Sequence, residues 1–203
     1  MNGVVFDGEV VYPSKVVCIA KNYVEHINEF DGKAPSEIAL FIKPNSSISS
    51  EVKKPEMGLC HYEGEITFIV RNGKFVGVGF GLDLTLRDIQ KRLRDEGLPW
   101  EKAKAFDGSA VFSEFVSFNG DIMGLGIEFF INGELRQKGD VSLMINKPQE
   151  ILDDAKRFFT FVDNDLLMTG TPKGVGTFNR GDEFLGRILY NNEVIVEKSW
   201  VVK

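Results

Sequence analysis

Two acidic residues lie close together where a strand is predicted to begin. In the stretch HYEGEITFIV, which starts at His61, a single glycine separates Glu63 from Glu65. The β-branched and aromatic residues that follow predict a β-strand. Strand residues two apart point to the same face, about 7 Å apart at ~3.3 Å per residue. Like charges at this spacing repel each other, so the pair either binds a cation or lines a solvated strand face. The sequence EGE by itself favours the solvated face.

A third carboxylate is predicted to join this pair. The strand of Glu65 runs into Asn72-Gly73, a dipeptide typical of tight hairpin turns, and FVGVGFGLDL then returns as a strand that ends near Asp83. If the two strands pair, three carboxylates converge, and a divalent cation would relieve their repulsion. Mg²⁺ and Mn²⁺ prefer such hard oxygen ligands. Zinc is disfavoured because the chain has only 2 histidines.

An imidazole and a carboxylate are predicted to be neighbours further upstream. The stretch KNYVEHINEF (21–30) carries an apolar stripe at helical spacing, and His26 and Glu29 are three residues apart on that helix. A carboxylate beside an imidazole raises its basicity, which suits the deprotonation of water. A surface pair without a catalytic role is the alternative. Lys104 in WEKAKAF is either an electrostatic stabiliser or a surface lysine, and its neighbours in sequence do not decide.

Two glycine-rich stretches do not match nucleotide-binding motifs. Gly77, Gly79 and Gly81 are spaced two and two, whereas the dinucleotide fingerprint needs two and then three. TGTPKGVG lacks the Lys-Ser/Thr pair of a P-loop. The alternating glycines instead leave one strand face without side chains, and tight packing against that face is the favoured interpretation.

The composition argues against several classes of partner. The formal net charge is −6 and no long Lys/Arg run occurs, so nucleic acids and anionic membranes are poor partners. We find neither a secretory signal nor an apolar run near the ~18 residues of a membrane span. Cys18 and Cys60 form neither a metal-like spacing nor a disulfide framework, so we expect reduced thiols and a cytoplasmic location.

The predicted elements are mostly strands. Residues 1–14 look like a short arm of two strands, 15–20 and 39–44 read as further strands, and two more hairpins are predicted at Asn132-Gly133 and Asn191-Asn192. Strands that do not alternate regularly with helices disfavour a doubly wound sheet. The prediction is therefore a β-rich α+β fold, with residues 1–203 as a single catalytic domain behind the short arm.

Two helices are predicted besides the one at 21–30. The stretch TLRDIQKRLRDEGLPW has a capping box in Thr85 and Asp88 and a C-terminal signal in Gly97. The second helix is predicted over 147–159, with Pro148 in its first turn.

Together these motifs resemble the fumarylacetoacetate hydrolase family, most closely its small branch of acylpyruvases and oxaloacetate decarboxylases. The motifs run in the order CIAKNYVEHINEF, LFIKP, HYEGEITF, GLDLTLRDIQKRLRDEGLPWEKAKAF, INGELRQKGD and LLMTGTPKGVG. Each motif is weak by itself, but their joint order is specific and covers residues 15 to about 180. The resemblance implies a roll of mixed β-sheets with few short helices, usually as a homodimer.

The resemblance also implies the roles of individual residues. An Mg²⁺ or Mn²⁺ ion would be held by Glu63, Glu65 and Asp83. His26 and Glu29 would activate water, and Lys104 would face the substrate. The remaining residues contact the substrate or support the site: Lys21, Arg87, Gln137 and Thr171.

The implied activity is metal-dependent cleavage of a C–C bond in small 2-oxo acids, by hydrolysis of acylpyruvates or decarboxylation of oxaloacetate. One alternative is an isomerase or tautomerase of 2-oxo or 2-hydroxy-dienoic acids that uses the same metal. Another is a catalytically idle protein that only binds a metal–dicarboxylate. The complete set of acids, together with His26 and Glu29, argues against the idle protein.

Three departures from the family pattern affect the expected pocket. Lys21 stands where the family often has arginine, which replaces a bidentate carboxylate clamp with a point charge. Only 17 residues lie between Glu65 and Asp83. Asn164-Asp165 replaces the usual Gly-Asp before the last motif strand. We expect intact core chemistry with an altered pocket wall, which leaves the substrate open.

Overall fold

Strands dominate the structure, a computed structural model that describes residues 1–25 and 36–203. Three α-helices fall wholly within those residues: α1 (Arg87–Asp95), α2 (Glu101–Lys104) and α3 (Pro148–Ala155). The strands are β1 (Val4–Phe6), β2 (Glu9–Val11), β3 (Lys15–Ala20), β4 (Ala39–Pro44), β5 (Ile48–Ser49), β6 (Cys60–Tyr62), β7 (Gly64–Arg71), β8 (Lys74–Asp83), β9 (Thr85–Leu86), β10 (Ala110–Phe112), β11 (Val116–Ser117), β12 (Leu125–Ile131), β13 (Glu134–Asp140), β14 (Leu166–Met168), β15 (Gly176–Thr177), β16 (Glu183–Tyr190) and β17 (Glu193–Val201).

The largest sheet is mixed, and its central strands carry the candidate site. Its strand order is β4-β3-β14-β7-β8-β10-β5, with β11 paired to β8. The pairs β3–β14 and β5–β10 are parallel and the other pairs are antiparallel. A four-stranded antiparallel sheet has the order β13-β12-β16-β17, and a small sheet has the order β15-β6-β9. The predicted β-rich fold of mixed sheets with few short helices is confirmed.

An aromatic cluster packs the four-stranded sheet against β8. Phe80 of β8 stacks on Phe129 of β12 at 5.7 Å between ring centroids, and Phe129 meets Phe184 of β16 edge-on at 5.0 Å. All three side chains are buried. A Cβ at Gly186 would lie 2.5 Å from the Phe80 ring, so glycine allows this close approach. Buried aromatic pairs stabilise a fold by ~0.5–1.5 kcal/mol beyond the free energy gained from burying their surface. These contacts therefore hold β8 against the four-stranded sheet.

The alternating glycines of β8 serve packing on its other face. A Cβ at Gly79 would lie 2.8 Å from the Phe115 ring, and one at Gly81 would lie 2.4 Å from Thr67 Oγ1. Neighbouring side chains therefore fill the space that the glycines leave. The prediction that these glycines allow tight packing is confirmed.

The three predicted hairpin turns are confirmed. Both central residues of each turn have a positive φ of 49° to 78°, as a type I′ turn requires, and they are Asn72-Gly73, Asn132-Gly133 and Asn191-Asn192. The arm also pairs as predicted, with β1 antiparallel to β2.

Both predicted helices differ from the observed ones in their bounds. The Thr85–Asp88 capping box is wrong, because Thr85 lies on β9 and α1 begins only at Arg87. Asp88 instead accepts a hydrogen bond from Leu59 N–H at 2.9 Å, so tertiary contacts displace the local cap. The α3 helix ends at Ala155, four residues before the predicted end.

Residues 26–30 of the helix predicted over 21–30 lie outside the described residues. Within the described part, no helix has the length and apolar character that a membrane crossing requires.

Candidate functional site

The pairing of β7 with β8 brings the three predicted carboxylates together. Glu65 lies opposite Gly81 in the ladder, and Asp83 N–H donates to the Glu63 carbonyl at 2.8 Å. The single strand predicted from His61 is interrupted at Glu63, where the chain leaves the small sheet and enters the large one. One oxygen from each of Glu63, Glu65 and Asp83 lies within 4.8 Å of the others.

These carboxylates are buried, which excludes the solvated strand face. Glu63 is 5% exposed, and Glu65 and Asp83 are each 1% exposed. A buried charge is costly unless it is paired. The cluster therefore needs cations, and the protein itself supplies two of them.

Lys104 is the first of these cations and lies within the cluster. Its Nζ donates to Glu63 Oε2 at 2.8 Å, to Asp83 Oδ2 at 2.6 Å and to Thr85 Oγ1 at 2.7 Å. Burial disfavours the charged ammonium, but Asp83 and Glu63 outweigh burial and raise the pKa of Lys104. Lys104 is thus a charged group at the site and not a surface lysine.

Lys43 is the second cation, and the sequence analysis gave it no role. Its Nζ lies 2.8 Å from Asp83 Oδ1 and donates to the hydroxyl and carbonyl oxygens of Ser109 at 3.0 and 3.2 Å. It also donates to the Lys104 carbonyl, so it joins β4 to the end of α2. Lys43 is fully buried. A lysine inside the apolar stretch ALFIKP was the signal that could have identified it.

Glu65 holds a proton more readily than an ordinary glutamic acid does. Burial, Asp83 and Glu63 raise its pKa well above the ordinary range, while Lys104 and the Gly170 N–H act in the opposite direction. Gly170 N–H donates to Glu65 Oε2 at 2.6 Å. Gly170 has φ of +89°, and a Cβ there would lie 2.8 Å from the Asn22 Cβ, so glycine lets this donor face the carboxylate.

The cluster fits a small divalent cation by donor type, spacing and charge. When all three acids are ionised, three carboxylates face two ammonium groups, and a bound cation would offset the excess negative charge and displace the proton of Glu65. An octahedral ion with bonds of ~2.1 Å separates its ligand oxygens by roughly 3.0 Å when adjacent and roughly 4.2 Å when opposite. The observed carboxylate oxygens lie within 4.8 Å of one another, so small side-chain rotations would bring them to these distances. Hard oxygen donors suit Mg²⁺ and Mn²⁺.

A cavity of about 50 Å³ adjoins the cluster. Six residues that the sequence analysis selected line it: Lys21, Glu63, Glu65, Arg87, Lys104 and Thr171. Sequence reasoning missed Gln90, Arg94 and Trp100, which line it as well. Gln90 and Arg94 follow Arg87 at helical spacings of three and seven, a pattern that could have identified them.

Lys21 and Gln137 occupy distinct positions relative to this cavity. Lys21 lines it with φ of +61°, an uncommon left-handed backbone for a residue with a side chain. Gln137 is 1% exposed, accepts from Gly64 N–H at 2.9 Å and donates to Thr171 Oγ1 at 2.7 Å. It also donates to the Pro172 carbonyl at 2.8 Å, so its amide ties β7 to the loop of Thr171.

The predicted His26–Glu29 pair lies outside the described residues. A second cavity of about 580 Å³ shares Trp100 and Lys104 with the first. Phe41, Leu98 and Phe159 make much of its wall apolar. The Phe41 ring lies 5.2 Å from Lys104 Nζ and 6.4 Å from the Trp100 ring. A charged cavity and an apolar cavity thus meet at Lys104.

Two observations together indicate the class of protein: the fold of mixed β-sheets and the buried acid trio where β7 pairs with β8. Residues 15–196 match the fumarylacetoacetate (FAA) hydrolase C-terminal family, and the chain belongs to this family. The family predicted from the motifs is confirmed, including its oxaloacetate-related branch.

Curated relatives in this branch are oxaloacetate tautomerases. The chain is 38% identical to oxaloacetate tautomerase YcgM of Escherichia coli over 192 residues, which cover 85% of this chain and 87% of that protein. It is 35% identical to a mitochondrial oxaloacetate tautomerase of Bos taurus, with 83% of this chain and 84% of the relative covered.

Solved structures share the fold over the whole chain. A protein of Oleispira antarctica described as a fumarylacetoacetate isomerase/hydrolase has a TM-score of 0.96 at 30% identity, with 100% of both chains covered. Fumarylpyruvate hydrolase of Pseudomonas aeruginosa, in complex with Mn²⁺ and pyruvate, has a TM-score of 0.89 at 29% identity. That match covers 99% of this chain and 95% of the hydrolase.

Proposed function

We propose that this protein is a divalent-metal-dependent enzyme that interconverts the enol and keto forms of oxaloacetate or a closely similar 2-oxo dicarboxylic acid. The observation that carries the proposal is the buried trio of Glu63, Glu65 and Asp83 with the Lys104 ammonium among them. The similarity to two oxaloacetate tautomerases supports the reaction type. C–C cleavage, the first expectation from sequence, becomes the second candidate.

The trio would hold Mg²⁺ or Mn²⁺, which supplies Lewis-acid polarisation of a 2-oxo group when bound. Lys104 would place a fixed positive charge beside the oxygen that becomes negative when a proton leaves the substrate. Such a charge stabilises an enolate most effectively in a dry pocket, because little solvent screens it. Arg87 and Lys21 on the cavity wall would attract the anionic substrate.

Tautomerisation also needs a proton carrier. The enol form gives up its hydroxyl proton, and one proton is added at C3 to complete the keto form. We propose that His26, oriented by Glu29, moves this proton, as imidazoles do near neutral pH. This role and the substrate contacts of Lys21, Arg87 and Thr171 are part of the proposal, and Gln137 would position Thr171.

The test follows pure enol oxaloacetate by its ultraviolet absorbance, with Mn²⁺ or with a chelator. We expect the enzyme to accelerate enol loss and the chelator to abolish the acceleration. Pyruvate is measured in the same samples with a coupled dehydrogenase. Enol loss without pyruvate would support tautomerisation, whereas pyruvate formed at the same rate as enol loss would replace it with decarboxylation.

The second candidate is hydrolysis of an acylpyruvate, favoured by the similarity to fumarylpyruvate hydrolase. Hydrolysis needs an activated water, whereas decarboxylation of a 2-oxo acid needs only an electron sink. His26→Ala should therefore slow acetylpyruvate hydrolysis by about 10²–10⁴-fold and decarboxylation far less. Equal losses would assign His26 to substrate positioning or proton transfer instead.

We further propose that residues 1–203 act as one catalytic domain and assemble as a homodimer. Light scattering should give a mass of about twice 22.7 kDa. A mass near 22.7 kDa at micromolar concentration would exclude the dimer. The cytoplasmic location stays a prediction, and the relative from Bos taurus is mitochondrial.

A further inference from the structure

One face of α1 points cationic and amide groups at the cavity. Arg87, Gln90 and Arg94 follow each other at i, i+3 and i+7, which aligns them on one side of a helix, and all three line the cavity. Arg87 Nη1 donates to Gln90 Oε1 at 2.7 Å. Gln90 is 6% exposed, so the middle of this face is a fixed part of the wall. Arg94 lies about 10 Å from Arg87 along the helix axis, at ~1.5 Å per residue.

The acidic residues of α1 are engaged away from Arg94. Asp88 accepts from Leu59 N–H at 2.9 Å, and Asp95 pairs with Lys91 Nζ at 2.6 Å. Across residues 1–25 and 36–203, Arg94 pairs with no carboxylate. Within those residues, the exposed guanidinium of Arg94 at the cavity is therefore available to an anion.

We propose that Arg94 binds the distal carboxylate of the substrate and makes the enzyme selective for 2-oxo dicarboxylic acids. This inference rests on the proposed function, because the trio then fixes which end of the substrate is proximal. Lys104 is already bonded to Glu63 and Asp83, so a second carboxylate needs another cation. A guanidinium matches a carboxylate with two parallel hydrogen bonds, which an ammonium does not provide.

The neighbouring cavity does not offer the same recognition. Its wall includes Phe41, Leu98 and Phe159, and Lys104 is the only cation that lines it among the described residues. The Lys104 ammonium already pairs with Glu63 and Asp83, so a charged substrate end would lose its hydration there without a cation of its own. The arginine face of α1 is the better receptor for a dicarboxylate, whereas the apolar cavity suits an alkyl chain.

The experiment compares two ligands that differ in the distal carboxylate. Oxaloacetate carries it and pyruvate does not. For wild type, Arg94→Met and Arg94→Lys, the KM of oxaloacetate in the enol assay is measured, together with the inhibition constant of pyruvate. Calorimetric titration of pyruvate, and of oxaloacetate already at its enol–keto equilibrium, into the Mn²⁺-loaded protein measures binding without net tautomerisation.

We expect Arg94→Met to raise the KM and dissociation constant of oxaloacetate roughly tenfold, the scale of one exposed charged hydrogen-bonded contact. The pyruvate constants should not change. Arg94→Lys should recover only part of the loss. Arg92→Met is the matched control, because Arg92 is an exposed arginine of the same helix outside the cavity wall, and it should behave as wild type.

Two outcomes would overturn the inference. One is an equal loss of affinity for oxaloacetate and pyruvate in Arg94→Met, which would mean general electrostatic attraction. The other is no loss for either ligand. If wild type binds oxaloacetate through Arg94 but turns nothing over, the proposed function fails and the recognition by Arg94 stands.

Discussion

A single buried carboxylate and the buried acid trio are stabilised in opposite ways in this protein. Asp165 is fully buried at the start of β14, where its Oδ1 accepts from Ser14 N–H at 2.9 Å, Ser14 Oγ at 2.7 Å and Lys15 N–H at 3.2 Å. Its Oδ2 accepts from Val162 N–H at 3.0 Å and from the Lys15 ammonium. Both oxygens are thus surrounded by donors that join the N-terminal arm to β14.

The acid trio has a different balance of neighbours. Burial and two like charges raise the pKa of Glu65, whereas at Asp165 hydrogen bonds from Lys15, Ser14 and Val162 overcome the effect of burial and lower the pKa. A carboxylate saturated with donors stabilises a fold. A group of carboxylates with too few donors is poised to take a cation. Asp165 should therefore control stability, and the acid trio should control activity.

The largest effect is expected from Asp83→Asn. The substitution removes the negative charge of a carboxylate whose Oδ1 faces Lys43, whose Oδ2 accepts from Lys104 and which would also hold the proposed metal. The value of kcat/KM should therefore fall by at least ~10³-fold, given several kcal/mol of Lewis-acid stabilisation. Enol conversion and calorimetric Mn²⁺ titration measure the loss. Full Mn²⁺ affinity in this variant would remove Asp83 from the ligand set.

A matched pair of lysines sharpens the comparison. Lys43→Met should lower kcat/KM by roughly 10–100-fold, the usual cost of losing a partner that orients a ligand. Lys15→Met removes the equivalent ammonium beside Asp165 and should leave kcat/KM unchanged while lowering stability. Rates and urea denaturation are measured for both variants. Loss of activity in Lys15→Met would contradict the division between the two groups.

Asp165→Asn tests the stabilising role directly. The amide cannot accept all the hydrogen bonds that the carboxylate receives, so unfolding should become easier by about 1–3 kcal/mol for buried donors left unpaired. The melting temperature should fall by ~2–4 °C for each kcal/mol in a chain of this size. Activity per folded molecule is the control, and it should equal that of wild type.

The smallest effect is expected in how the contribution of Asp165 to the free energy of unfolding changes at acidic pH. Because the folded-state pKa of Asp165 is lowered, its contribution is complete above the unfolded-state pKa near 3.8 and is lost as the pH falls through the folded value. The stability difference between wild type and Asp165→Asn should thus shrink below pH ~4. Urea denaturation from pH 6 to 3 measures it. A difference that stays constant with pH would mean that the ionised form of Asp165 contributes nothing.

Asn164 shows how a departure from the family pattern keeps the local geometry. It stands where glycine is usual and has φ of +77°. Asparagine is one of the few residues that tolerate this left-handed conformation. Asn164 therefore keeps the turn that presents Asp165.

The sequence by itself determined the features that depend on short spacing. Asn-Gly and Asn-Asn dipeptides set the hairpin turns, since only such residues accept positive φ at both positions. The turn at Asn72-Gly73 then pairs β7 with β8, but a register shift between Ile69 and Val70 moves the pairing by one residue, and only this shift places Glu65 opposite Gly81 and near Asp83. The turns follow from backbone sterics, which act within a few residues, whereas the sequence patterns gave no sign of the register shift.

Only the tertiary structure decided which cations meet those acids. Lys43 and Lys104 are 61 residues apart, yet both reach Asp83 because β4 and α2 pack at the same edge of the site. The position of Arg94 on the cavity wall likewise depends on where α1 begins, which the contact of Asp88 with Leu59 sets against the local capping signal. Burial strengthens these long-range ion pairs and hydrogen bonds enough to override local helix-capping preferences. The spacing of residues along the chain does not show which of these polar groups will be buried together.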